Sequence, residues 1–540
     1  MLSVPALLLT LLMQAPSVGE PIVFIQDPAA LQSLEQKGLA LQDRLGSPEA
    51  THTRTLARKS AWGKIARVLG RDLDAIMRAD KRAGPSLRYS HRLFHKKWLK
   101  SENTRFELIG VANRLDREAF EPGKCGETRL VYRLGYTRNV GGTEVQSRLP
   151  ITVNLVYWQQ PSPGQAGCAE VARRWLVKPA NSAATQLRGE GGPLHPSALE
   201  LKNLKSLEIN IQSVRWPSTT HPSLAGHAEY LMRVFKFKNG TFKPSGMENT
   251  PDIRKLKRNA ALRKKLLRWL TDPKHFKAID EGTFVLPEKF LAKSAVSVAP
   301  RGLARLANRP FKQLFKERDF RDLDYTQGRF VKSPKALLRR LDSRSCTGCH
   351  QSRSVAGFHM LGEDPASMKV DALGYGHSDH LQQDLERRRT FNLAMLKDQA
   401  DPSRGFAERL EDQGRYGSRC GLGDPGFSDW TCGPGLHCKA LDDRELGACA
   451  PADAPQVGDS CAVGTLRTKA VGHKDRVRDV VYSACAPNQV CESNPVGFPN
   501  GMCAGACETG GPESTCGAIA ILTPFNRCLA KGHPFPKCIT

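Results

Sequence analysis

The chain has 540 residues, 80 Lys and Arg against 54 Asp and Glu, a net charge of +26 and 16 cysteines. That length accommodates several domains, and 40% hydrophobic residues support packed cores in most of it. The positive surplus favours an acidic redox partner or an anionic surface, whereas nucleic acid is not expected without a recognisable binding module.

Leu2 to Met13 is an apolar run, and Ser17-Val18-Gly19 follows with the small residues that a signal peptidase reads. No Lys or Arg precedes the run, which departs from the usual pattern. A signal peptide at 1–19 implies export to the periplasm, the cell surface or the medium. The 16 cysteines suit such an oxidising compartment. No other stretch approaches the roughly 18 apolar residues of a membrane span, so no transmembrane segment is expected.

Residues 20–100 read as a helical segment. Leu31, Leu34, Leu41 and Leu45 approximate one helical face, and Ile65, Leu69, Leu73, Ile76 and Met77 a second. His91 and His95 would share a helix face, as a metal-binding pair or as surface decoration. Residues 101–245 read as an antiparallel β-containing domain. Phe106 to Ala112, Arg129 to Tyr136, Leu149 to Trp158 and Leu207 to Val214 have strand composition, with Pro150 bounding the third. Leu207, Ile209 and Ile211 alternate with Glu208, Asn210 and Gln212. Asn239-Gly240 marks a hairpin with a type I′ turn. Cys125 and Cys168 are expected to pair. Asn113, Arg114, Asp116, Glu127 and Arg129 form either a buried ion-pair network or the lining of a cleft.

Residues 246–419 open with Thr250-Pro251-Asp252, a helix start, and a basic helix is expected to run from there to about Leu270. Within this region stands Ser345-Cys346-Thr347-Gly348-Cys349-His350. A Cys-x-x-Cys-His run reads as a covalent haem attachment site. Two thiols three positions apart add across the two vinyl groups of one haem, and the following His supplies an axial nitrogen to the iron. A disulfide between Cys346 and Cys349 is the plainer reading. A zinc site lacks its second half nearby.

At this stretch the chain resembles a c-type cytochrome, firmly over the motif and loosely around it. The resemblance implies haem c bound through Cys346, Cys349 and His350, and it implies no reaction. Arg344 and Arg353 flank the motif and suit the haem propionates. Met360 is the candidate sixth ligand, with His359, Met368, His377 and His380 as alternatives; Met ligation suits electron transfer.

Residues 420–540 hold 12 of the 16 cysteines. Cys432-x5-Cys438-x10-Cys449 recurs as Cys485-x5-Cys491-x11-Cys503, and the region reads as three small modules of two disulfides each. The fold class is therefore α+β: a helical N-terminal segment, an antiparallel β-containing domain, a mainly helical haem c region and a disulfide-rich tail. No Gly-x-Ser-x-Gly elbow, His-Glu-x-x-His helix, Walker loop or dinucleotide fingerprint appears. Three functions remain: an exported mono-haem c-type cytochrome-like protein in electron transfer, a haem enzyme of peroxidase or oxygenase type, and a haem-free secreted binding protein.

Overall fold

The computed structural model describes residues 21–349, apart from gaps at 81–90, 93, 122, 141, 162–166, 178–182, 217–226 and 299–307, and beyond them residue 362, residues 379–397 and short stretches between 399 and 538. Among these residues a nine-stranded sheet dominates. Its strands are β1 (Phe24–Ile25), β2 (His91–Arg92), β3 (Thr104–Arg114), β4 (Glu127–Val140), β5 (Thr143–Trp158), β6 (Leu204–Trp216), β7 (His227–Lys238), β8 (Thr241–Ser245) and β9 (Ala295–Val298). The order is β1-β3-β4-β5-β6-β7-β8, with β2 added to β6 and β9 to β7, and every pairing is antiparallel.

The expected hairpin joins β7 to β8. Asn239 and Gly240 have φ of 51° and 70°, the left-handed pair that a type I′ turn requires. Pro150 does not bound its strand but lies inside β5. The register slips there, so Arg133 faces Thr152 and Leu134 faces Leu149. A bulge accepts a residue that has no N–H for the ladder.

The helices are α1 (Pro28–Leu34), α2 (Leu41–Arg44), α3 (Thr53–Lys59), α4 (Trp62–Asp80), α5 (Ala169–Arg173), α6 (Ala183–Arg188), α7 (Ile253–Arg258), α8 (Ala260–Leu270), α9 (Pro273–Glu281), α10 (Pro334–Ser343), α11 (Cys346–Cys349) and α12 (Asp379–Leu396). Alternation along the strands makes two sheet faces. The first carries Leu130, Tyr132, Leu134, Ile151, Val153, Leu155, Leu207, Ile209 and Ile211, and α1, α2, α3 and α4 bury against it in one core. Trp62 is fully enclosed there and donates from Nε1 to the Leu99 carbonyl at 2.9 Å.

Leu31, Leu34 and Leu41 are buried, but not on one continuous helix. A π-helical turn at Glu35–Leu39 and Gly38, at φ 88°, separate α1 from α2. Glu35 holds the kink in place by accepting from the Leu108 N–H at 2.8 Å, beside the β3 bulge. Burial pushes its carboxyl up to about 7. The expected His91–His95 helix pair is also overturned. His91 lies in β2, and His95 caps a 3-10 turn, accepting at Nδ1 from the Lys97 N–H.

A second core gathers Leu256, Leu266, Leu270, Phe284, Phe290, Phe311, Phe320, Leu337 and Leu341. The single helix expected from Thr250 is two. Asp252 caps α7, and Asn259 leaves helical geometry to cap α8, accepting from the Leu262 N–H at 2.8 Å. Asn side chains compete with the helix in this way.

Leu381 and Leu385 of α12 bury against Val23, Phe24 and Ala112. Beneath them Asp116 pairs with Arg114 at 2.8 Å and with Arg387 at 2.6 Å, and Asp384 pairs with Arg387 and Arg388. Burial raises the Asp116 carboxyl, but Arg114, Arg387 and Arg388 overcome that and hold it far below its ordinary value. The polar residues around Asn113 are therefore ion-paired. No helix among the described residues is long and apolar enough to cross a membrane. The proposed signal peptide lies outside the described residues.

Cys125 and Cys168 form the expected disulfide. In the first tail module Cys420 pairs with Cys438 and Cys432 with Cys449. The sequence repeat has a backbone counterpart. Cys438 lies opposite Cys449 in one hairpin, and Cys491 lies opposite Cys503 in another. In the first hairpin neither facing cysteine bonds to the other. By that repeat, non-reducing peptide mapping is expected to join Cys491 and Cys503 each to a different cysteine; a Cys491–Cys503 cross-link would break the equivalence of the modules.

Candidate functional site

The motif begins where α10 ends. Ser333 caps α10, and Leu337, Leu338 and Leu341 carry it into the second core. Ser345 then folds the chain back. Its Oγ donates to the Asp342 carbonyl at 2.6 Å and accepts from the Gly348 N–H at 3.1 Å, which starts the single turn of α11. A Cβ at position 348 would collide with the Asp342 carbonyl, so glycine is required by close approach. Thr347 is buried beside Ser345. Positions 346 and 349, three apart on a helical turn, lie on one side of it.

Cys346 is half-buried and belongs to none of the described disulfides. Its N–H donates to Thr250 Oγ1 at 2.8 Å, and its thiol lies 3.6 Å from the Glu248 carbonyl. The Thr250 hydroxyl also donates to that carbonyl, at 3.1 Å. Thr250 is thus occupied by the motif rather than by the helix that follows it.

Glu248 ties the motif to the sheet. Its Oε2 accepts from Arg117 at 2.5 Å, and Arg117 also reaches Glu127 at 3.0 Å. Glu127 further accepts from Arg129 at 2.7 Å and Lys205 at 2.5 Å, while Arg129 extends to Glu208 at 3.2 Å. Three cations thereby balance three carboxylates. Burial raises the Glu127 carboxyl, but Arg117, Arg129 and Lys205 hold it well below its ordinary value. Arg117 lies over Phe120 and Lys205 over Trp158. α11 itself packs against β9.

Below the turn, the buried Asp342 carboxylate accepts from the Phe311 N–H at 2.7 Å. Burial pushes it up to about 7, against the pull of that N–H and of Arg309 and Arg339. Arg344 turns to α9, with its guanidinium against Gly282, the left-handed residue that ends that helix. The backbone of Cys349 is described; His350, Arg353 and Met360 lie outside the described residues, as do His359, Met368 and His377. His380 stands in the first turn of α12. In the tail, the sulfurs of Cys420, Cys432 and Cys449 lie within 4.8 Å of one another, but all three are spent in disulfides and offer no thiolate.

Sequence reading missed Glu248 and Thr250, which act through backbone and long-range contacts. No family model matches the chain, and no curated protein or solved structure matches it either.

A native pKa near 7 at Asp342 means that the folded protein holds a proton that the unfolded chain has released above its ordinary value of 3.8. This group therefore stabilises the fold fully below about pH 4, and the contribution is lost as pH rises through about 7. Asp342→Asn keeps an oxygen for the Phe311 N–H, and its denaturant midpoint is expected to vary less with pH between about 4 and 7. Some slope remains because Glu35 behaves in the same way. An unchanged slope would remove Asp342 as its source.

Proposed function

We propose that the protein is an exported mono-haem c-type cytochrome-like protein that transfers electrons. Haem c is held covalently by Cys346 and Cys349, with His350 as an axial ligand and Met360 as the sixth. The Cys346-x-x-Cys349-His350 run carries this reading. The donor chemistry fits. Cys346 stands half-buried at the start of a fixed helical turn, and Cys349 follows three positions along its backbone. Haem supplies the one-electron chemistry when bound. Ser345, Gly348 and Thr250 hold the turn in register, and the balanced charges behind Glu248 keep that support rigid without adding net charge.

Protein made in a host that matures haem c is expected to be coloured and to keep its haem through acid–acetone extraction. Cys346→Ser and Cys349→Ser are each expected to lose one thioether, and the double variant to lose covalent attachment altogether. With Met360 bound, carbon monoxide leaves the reduced spectrum unchanged over minutes. A rapid shift would point instead to an enzyme with an open sixth position. Colourless wild type would overturn the haem assignment.

The basic pair α7–α8 is the proposed docking face for an acidic redox partner. Leu256, Leu266 and Leu270 anchor it, while Arg254, Lys255, Lys257, Arg258, Lys264, Lys265 and Arg268 are exposed. Reversing Arg254, Lys257, Lys264 and Lys265 to Glu is expected to weaken low-salt association with an acidic probe protein by about tenfold or more, with little change at high salt. Equal binding at both salt concentrations would place the docking face elsewhere.

A further inference from the structure

A groove runs between α4 and the 3-10 turn at Lys96–Lys100. Its volume is about 670 Å³, within the usual range of a ligand site. Ala66 and Leu99 form its floor and are buried, and Trp62 ties the turn to the helix through the Leu99 carbonyl. Gly70 opens the middle of the floor. A Cβ there would meet nothing within 4 Å. Gly63, earlier in the same helix, is required, because a Cβ would strike the Ala57 carbonyl. No such contact calls for Gly70, and glycine inside a helix weakens it relative to alanine. The helix gives up stability where the groove needs room.

The walls are cationic. Two of the basic residues are matched: Lys96 reaches Asp74 at 2.7 Å, and Arg54 reaches Glu102 at 2.7 Å. Four are not. Arg67, Arg71, Lys97 and Lys100 are exposed, line the groove and join no ion pair among the described residues. Arg67 donates only from Nε, to the Gly63 carbonyl at 3.3 Å. Arg67 and Arg71 stand about 6 Å apart along α4. Lys97 and Lys100 stand about 6 Å apart along the 3-10 turn. Both walls thus repeat their charge on the scale of one unit of a polymer.

The rest of the lining selects among polyanions. Asp74, Glu102, Ser101 and Asn103 place oxygen acceptors between the cations. These suit the hydroxyl groups of a sugar chain, and the two acids repel a chain that is charged throughout. Nucleic acid strands stack their bases on aromatic rings. Among the described residues no aromatic side chain lines the groove, and Trp98 turns instead to Phe94 and Tyr136. A lipid surface takes up protruding apolar side chains, whereas Ala66 and Leu99 lie at the buried floor.

We infer that this groove binds a linear polysaccharide bearing carboxylate groups. Its carboxylates meet Arg67, Arg71, Lys97 and Lys100, and its hydroxyls meet the acceptors between them. The inference stands apart from the haem reading. Full-length protein is expected to bind polygalacturonate. The combined variant Arg67→Gln, Arg71→Gln, Lys97→Gln and Lys100→Gln is expected to weaken that binding by about tenfold or more. A control loses the same charge at Lys243, Lys289, Arg318 and Arg321, which are exposed outside the groove, and is expected to bind as the wild type does. Gly70→Gln changes no charge, but it fills the floor and is expected to weaken binding by a similar factor. Should these variants fail to fold, the wild type decides: bound polygalacturonate is expected to slow acetylation of Lys97 and Lys100 severalfold while Lys243 and Lys289 react as before. No binding, equal loss in the groove and control variants, or equal protection of all four lysines would overturn the inference. Tighter groove-dependent binding of oligothymidylate or of phosphatidylglycerol vesicles at matched charge concentration would overturn it too, and would give the groove to nucleic acid or to a membrane.

Discussion

The Glu248 carboxylate is the constraint on which the rest of the molecule depends. It is itself partly exposed, but it is tied to a buried charge network in which a carboxylate is tolerable only with cations in hydrogen-bonding reach. Arg117 supplies one and in turn needs Glu127, which needs Arg129 and Lys205. Each member is costly alone and stable in company. Because the backbone of Glu248 also receives the Cys346 thiol, the same chain of charges fixes where the motif stands relative to the sheet.

Charge is managed differently inside and outside. The network behind the motif balances three cations with three carboxylates, whereas the cluster beneath α12 sets three arginines against two aspartates. The exposed residues of α7 and α8 hold a dense share of the chain's positive surplus. An exposed cationic face of this kind attracts anionic surfaces over long range, an attraction that salt screens.

Much of the fold was legible in the chain. Asn239-Gly240 could serve only one turn, the alternation from Leu207 marked a strand, and Cys125 and Cys168, the two cysteines of their region, form the disulfide expected of them. The misses share a cause: local pattern was overruled by a distant partner. Glu35 turned aside to meet β3, Asn259 became a cap, and Thr250 was taken by Cys346. Alternation also identifies two faces without saying what covers each. Glu208 and Asn210 belong to a face on which residues far along the chain converge. For the site, the motif named its own sulfurs, while the turn that holds them came from Ser345 and Gly348, whose roles depend on the end of α10.

The crossed disulfides of the first tail module carry a consequence for durability. Cys420 joins Cys438 across Cys432, and Cys432 joins Cys449 across Cys438. A protease that severs the backbone once, anywhere between Cys420 and Cys449, therefore leaves both fragments tethered by at least one sulfur link. Nicked molecules would keep their C-terminal appendage until a reductant arrived.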